Sequence, residues 1–108
     1  MRAELERAVV ALARVRPEIE RVLLFGSLVT GRAAPGSDAD LLVILSQSDR
    51  PFRDRIPLYI PSGCRIPIDV FPYTQSEIHR MLADGNFFLQ RALDQGVELP
   101  LARPAIPC

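Results

Sequence analysis

The chain has 108 residues, enough for one domain with one modest core and no separate substrate domain. Thirteen basic residues balance thirteen acidic ones without a basic run, so composition gives no reason to expect a nucleic-acid partner. No apolar run is long enough to cross a membrane and the charged N-terminus is unlike a signal peptide, so we expect a cytoplasmic location and no membrane partner.

The first half of the chain predicts a helix followed by two buried strands. Apolar side chains recur at helical spacing over Arg2–Arg16, and Pro17 prevents the helix from continuing. The apolar runs Val22–Phe25 and Asp40–Leu45 have the length of strands, and their lack of alternation indicates burial on both faces. Between them the sequence predicts a short helix over Leu28–Thr30 and a turn-rich loop.

The second half predicts a third strand and two further helices. Prolines allow only a short helix near Pro51–Leu58, and Ile66–Phe71 is a strand that Pro72 should end. The later elements, in chain order, are a helix opened by the capping box Thr74–Glu77 and ended at Gly85, a helix from Asn86 to near Gly96, and a short strand at Val97–Leu101. We therefore expect a single domain over residues 1–102 and an extended tail over 103–108.

Three carboxylates occur at or within these strands, where acidic residues are disfavoured. Side chains two apart on a strand share a face, so Asp38 and Asp40 project to the same side. Asp69 joins them if the third strand lies alongside. Three close carboxylates repel one another unless a cation holds them, and Mg²⁺ binds carboxylates together with water and substrate phosphate. Asp38, Asp40 and Asp69 are thus the predicted metal ligands and catalytic residues.

A Gly-Ser pair after the first strand is the candidate phosphate-binding element. Gly26 lacks a Cβ and lets a polyphosphate approach the backbone, while the Ser27 hydroxyl and the following amides can donate to phosphate oxygens. Two Mg²⁺ ions about 3.5–4 Å apart would clamp the attacking and leaving oxygens. The predicted chemistry is nucleotidyl transfer, in which an acceptor hydroxyl attacks the α-phosphate, pyrophosphate leaves, and Asp69 helps to remove the hydroxyl proton.

Each of these features also has a simpler structural explanation when it is taken alone. A Gly-Ser pair after a strand is a common turn, Ser37 and Asp38 can form local turn contacts, and Asp69 can be a charge that protects a sheet edge. We prefer the functional interpretation because the three features form one constellation. Phe87 and Phe88 are adjacent on a helix and cannot both face the core, so one is expected to be exposed to a partner.

The pattern Gly26-Ser27, ten residues and Asp38-Ala39-Asp40 resembles the signature of the DNA polymerase beta-type nucleotidyltransferase superfamily, with Asp69 as the third acid. The small size is similar to that of the minimal nucleotidyltransferases that partner HEPN-domain proteins in prokaryotic toxin–antitoxin modules. The resemblance implies an α/β fold of the α+β type, with a small mixed β-sheet flanked by helices as in the polymerase beta palm. It also implies two Mg²⁺ ions and ATP as the substrate.

The same resemblance implies a nucleotide-binding set of Gly26, Ser27, Arg32 and Ser37. Many relatives carry a basic residue just after the Gly-Ser pair, where this chain has Leu28, and Arg32 is the expected substitute.

The predicted function is Mg²⁺-dependent transfer of AMP to a hydroxyl of a HEPN-like helical partner protein, with this chain as the antitoxin. Two alternatives stay open. One is a non-catalytic module that neutralises a helical partner by contact, and the other is nucleotidyl transfer to a small molecule such as an aminoglycoside. The sequence is compatible with an oligomer.

Overall fold

The computed structural model describes residues 2–25, 39–61 and 68–101. Their elements, in chain order, are α1 (Arg2–Val15), β1 (Ile19–Phe25), β2 (Ala39–Leu45), the short α2 (Phe52–Arg55) with a 3-10 turn (Ile56–Leu58), β3 (Ile68–Thr74), α3 (Gln75–Ala83), α4 (Phe87–Gln95) and β4 (Val97–Leu99). The predicted helix at Leu28–Thr30 and the predicted tail over 103–108 lie outside the described residues.

The strands of the described ranges form one mixed sheet in the order β3-β2-β1-β4. β1 pairs antiparallel with both β2 and β4, whereas β2 pairs parallel with β3. A parallel pair needs a crossover connection, here residues 46–67, which include α2. The predicted fold class, a small mixed sheet flanked by helices, is confirmed.

Two hydrophobic clusters cover the two faces of the sheet. One lies under α1 and contains Leu5, Val9, Val22, Leu24, Leu41, Val43, Leu45 and Val70. The other lies under α3 and α4 and contains Leu23, Phe25, Leu42, Ile44, Ile78, Leu89 and Ala92. Successive residues of β1 and β2 pack into opposite clusters, so both faces of these strands are buried. This agrees with their sequences, in which apolar residues follow one another without alternation.

β3 continues to Thr74, so the prediction that Pro72 ends this strand is wrong. Proline cannot donate a backbone hydrogen bond, but β3 is at the edge of the sheet that the described residues form, where that donor is not needed. The outward carbonyl of Pro72 instead accepts a hydrogen bond from Arg55 Nη1 at 3.2 Å.

The junction between β3 and α3 is fixed by the predicted capping box. Thr74 Oγ1 accepts from the backbone N–H of Glu77 at 3.2 Å, and Glu77 Oε1 accepts from the backbone N–H of Thr74 at 2.9 Å. Glu77 also pairs with both Nη atoms of the buried Arg55, at 2.6 and 3.0 Å. The Arg55 guanidinium holds the pKa of Glu77 below its ordinary value, so this carboxyl stays charged at neutral pH.

The other predicted helix ends are also confirmed. Gly85 follows α3 with a positive φ of 80°, a conformation that glycine adopts without strain. Asn86 then caps α4, its Oδ1 accepting from the N–H of Leu89 at 2.9 Å. None of the helices in the described ranges is long and apolar enough to cross a membrane.

Candidate functional site

Two of the three predicted carboxylates lie side by side at one end of the sheet. Asp40 on β2 and Asp69 on β3 are register partners in the parallel pair. Neighbouring strands are about 4.8 Å apart, and residues in register project to the same face. Asp40 is half-buried and Asp69 is exposed. We call these two residues the carboxylate pair.

The carboxylate pair lies on the face of the sheet that α3 and α4 cover. Residues two apart on a strand project to the same face. Asp40 is two residues before Leu42, which belongs to the cluster under these helices, and Asp69 is two residues before Phe71, which packs against that cluster. Asp40 is also in register with Phe25, the last residue of β1. The site is therefore at the entrance of β2 and β3, beside the exit of β1.

The remaining predicted site residues lie outside the described residues. They are the predicted metal ligand Asp38 and the proposed phosphate-binding set Gly26, Ser27, Arg32 and Ser37. Their roles stay predictions.

The carboxylate pair has the chemistry that a hard divalent cation requires. Mg²⁺ prefers oxygen ligands and commonly uses one or two carboxylates, with water and phosphate oxygens completing its shell. In the ranges that the structure describes, no group of three acidic, histidine or cysteine side chains is close enough to hold a metal ion. Asp40 and Asp69 thus fit as a two-carboxylate donor set in that part of the chain.

Three phenylalanine rings meet beside the carboxylate pair, and we call them the aromatic cluster. Phe25 and Phe71 lie 5.7 Å apart between ring centroids, and Phe88 at the start of α4 lies 5.5 Å from Phe25 and 5.2 Å from Phe71. Phe25 is 8% exposed, whereas Phe88 is 44% exposed and its neighbour Phe87 is 82% exposed. The expectation that one of the two adjacent rings is exposed is confirmed for Phe87.

Sequence reasoning did not associate this cluster with the acids. The available signal was that Phe71 is two residues after Asp69 and so shares its face of the strand. The position of Phe25 depends on the register between β1 and β2, and that of Phe88 depends on how α4 packs on the sheet.

A polar cavity of about 420 Å³ lies at the opposite end of the sheet, with Arg16, Glu18, Arg50 and Tyr59 in its wall. The Tyr59 hydroxyl donates to Glu18 Oε2 at 2.5 Å. Burial is the larger cause, and this hydrogen bond to a carboxylate the second, of a rise in the pKa of Tyr59 to about 12. Tyr59 is therefore a protonated structural donor at neutral pH and is a poor nucleophile.

The mixed sheet, the helices on both of its faces and the acids at its entrance define an α/β protein with the nucleotidyltransferase fold. A provisionally assigned nucleotidyltransferase from Sulfolobus solfataricus has a similar solved structure, with a TM-score of 0.59 and 24% identity over 72% of this chain and 70% of that one. At this identity the likeness shows the fold alone.

The chain belongs to the family described as the nucleotidyltransferase domain, whose model matches residues 4–104. A search of curated proteins gave no match. The family confirms the predicted superfamily and supports nucleotidyl transfer as the general activity of the chain.

Proposed function

We propose that this chain transfers AMP from ATP to a hydroxyl group of a partner protein, in a reaction that depends on a divalent metal. The observation that carries the proposal is the placement of Asp40 and Asp69 in register on one face of the sheet. Family membership supports nucleotidyl transfer in general. The metal, the nucleotide and the acceptor are our inference.

Asp40 and Asp69 would hold Mg²⁺, which when bound neutralises the charge on the phosphate oxygens of the nucleotide. The acceptor oxygen forms a bond to the α-phosphorus while the bond from that phosphorus to the bridging oxygen breaks, and pyrophosphate leaves with the bonding electrons. Asp69 is the exposed member of the pair and is accessible to an incoming hydroxyl, so we propose that it accepts the proton of that hydroxyl as a general base. Asp40, half-buried between β1 and β3, serves as the fixed ligand.

The triphosphate would be bound by Gly26, Ser27, Arg32 and Ser37. Chain connectivity supports this assignment, because Gly26 directly follows Phe25 and Phe25 is in register with Asp40. A backbone without a Cβ and a serine hydroxyl at that position suit a phosphate group.

The proposed acceptor is a helical protein of the HEPN type, which this chain would silence as its antitoxin. The sequence resemblance motivates this choice, and the exposure of Asp69 is compatible with an acceptor supplied by another molecule.

The proposal is tested by incubating the chain with ATP, Mg²⁺ and the product of the neighbouring gene, followed by intact-mass analysis of both proteins. We expect one AMP on the partner, and a loss of about 100-fold or more in transfer rate for Asp40→Asn and Asp69→Asn, because each removes a proposed metal-binding carboxylate. Asp94→Asn is the matched control, since Asp94 is an exposed acid on α4.

Absence of an adduct with the native chain, or equal adducts with native chain and Asp40→Asn, would contradict the enzymatic proposal. Neutralisation of the partner in cells by Asp40→Asn would then support the contact-only alternative.

A further inference from the structure

We propose that Phe88 stacks on the nucleobase of the bound nucleotide, so that the aromatic cluster forms the base-binding side of the site. This inference rests on the proposed function, because it assumes that a nucleotide binds at the carboxylate pair. It identifies a binding residue outside the predicted metal and phosphate set.

The first argument is position. Phe88 contacts two rings that lie beside the acids: Phe25 on β1 is the register partner of Asp40 on β2, and Phe71 is two residues after Asp69 on β3. At about 3.3 Å of rise per residue, the backbones of Asp69 and Phe71 are about 6.6 Å apart along β3. The aromatic cluster is thus adjacent to the carboxylate pair on the same face of the sheet.

The second argument is the exposure of a ring that is held in place. The rings of Phe88 and Phe25 meet at 77°, and those of Phe88 and Phe71 at 59°, so two neighbours fix the orientation of Phe88. Phe88 nevertheless keeps 44% of its surface accessible, whereas the Phe25 ring below it is buried. An oriented aromatic surface beside a phosphate-transfer site is what a planar base requires for stacking.

Phe87 provides the contrast that separates a base from a protein partner. This ring is 82% exposed, and none of the ring contacts found among the described residues involves it. A protein that docks on the start of α4 would cover Phe87 first, because it is the more prominent side chain. Phe88, and not Phe87, contacts the two rings that lie beside the acids, which favours a ligand of the site itself.

A phenyl ring offers no hydrogen bond, so base recognition by Phe88 would depend on stacking area. Stacking on aromatic side chains tolerates every base, since each base has a π-face. We therefore expect purine nucleotides to bind better than pyrimidine nucleotides, with little discrimination by this residue between adenine and guanine.

The test compares ATP with inorganic tripolyphosphate, which has the phosphates but no base. Calorimetric titration in Mg²⁺ should show that Phe88→Ala weakens ATP binding about tenfold and leaves tripolyphosphate binding unchanged. Phe88→Leu keeps an apolar side chain against Phe25 and Phe71 but removes the ring, and it should also weaken ATP selectively. Phe87→Ala is the matched control and should bind both ligands as the native chain does.

Native ATP affinity in both Phe88 variants would overturn the inference. So would an equal loss of ATP and tripolyphosphate binding, which would mean that the ring only supports the site's structure. Weakening of ATP binding by Phe87→Ala alone would place the base at Phe87 and also overturn the inference. Because binding is measured without transfer, an ATP-selective loss in the Phe88 variants supports the base site even if no AMP transfer occurs, and only the proposed function then fails.

Discussion

Arg55 shows how one buried charge can hold three segments of this chain together. Its side chain donates to the carbonyl of Arg50 at 2.8 Å, to the carbonyl of Pro72 on β3, and to the carboxylate of Glu77 on α3. The residue is only 4% exposed, and a substitution that removes its donors takes this partner from the buried carbonyl of Pro72 and from the partly buried carboxylate of Glu77. Arg55 therefore stabilises the β3 edge of the sheet.

We expect Arg55→Met to lower the free energy of unfolding at pH 7 by about 2–3 kcal/mol, somewhat less than for a fully buried pair because Glu77 is partly exposed. The paired state depresses the pKa of Glu77, so the pair's contribution is present above the ordinary value of 4.5 and is lost as pH falls through the lower folded value. Urea denaturation should show a difference between native and variant chains that shrinks below about pH 4.5. Arg53→Met, at an exposed position of α2, is the control, and an equal loss in that variant would refute this account.

The packing of α4 on β1 depends on the close approach of the two elements at Gly96. A Cβ at this position would collide with the carbonyl oxygen of Ala92 and would lie 3.3 Å from Leu23 Cβ. We expect Gly96→Ala to push the end of α4 away from β1 and to lower the free energy of unfolding by about 1–3 kcal/mol, a typical cost of overpacking. Chemical denaturation measures the change, with Gln95→Ala at the adjacent exposed position as control. If the free energy of unfolding of Gly96→Ala stays within about 0.3 kcal/mol of the native value, which is on the order of the additivity error of such measurements, the end of α4 adjusts freely and this account is wrong.

The elements differ in how far local sequence determines them. The Thr74–Glu77 capping box and the Asn86 cap are formed by residues within one helical turn, so their sequence signals were sufficient. The end of β3 was mispredicted because tolerance of Pro72 depends on the strand being at a sheet edge, which is a property of the whole sheet. The two acids could be predicted from their strands, but the aromatic cluster could not, because inter-strand register and helix docking decide which rings meet them.

On the scale of the whole molecule, the site is a product of the parallel pairing of β2 and β3. This pairing aligns seven residues in register, from Ala39 with Ile68 to Leu45 with Thr74. Hydrophobic contacts along the pair set the register, and the register in turn places Asp40 beside Asp69 at its end. Two like charges opposite one another on adjacent strands destabilise a sheet. When both carboxylates are charged, their placement in register adds repulsion to the sheet, and a bound cation would relieve that repulsion.

We accordingly expect Asp69→Asn to stabilise the metal-free fold while removing its response to metal. Without Mg²⁺, the free energy of unfolding should rise by about 0.2–1 kcal/mol, because one of two opposed charges is lost. Mg²⁺ should raise the midpoint of thermal unfolding of the native chain, since a ligand that binds the folded state stabilises it, and should raise that of Asp69→Asn much less. Thermal unfolding in EDTA and in Mg²⁺ measures both effects, with Asp94→Asn as control. Equal metal responses in native chain and Asp69→Asn would show that Asp69 does not bind the ion. A lower stability of Asp69→Asn in EDTA would show instead that the carboxylate has a stabilising contact in the metal-free fold that outweighs its repulsion of Asp40.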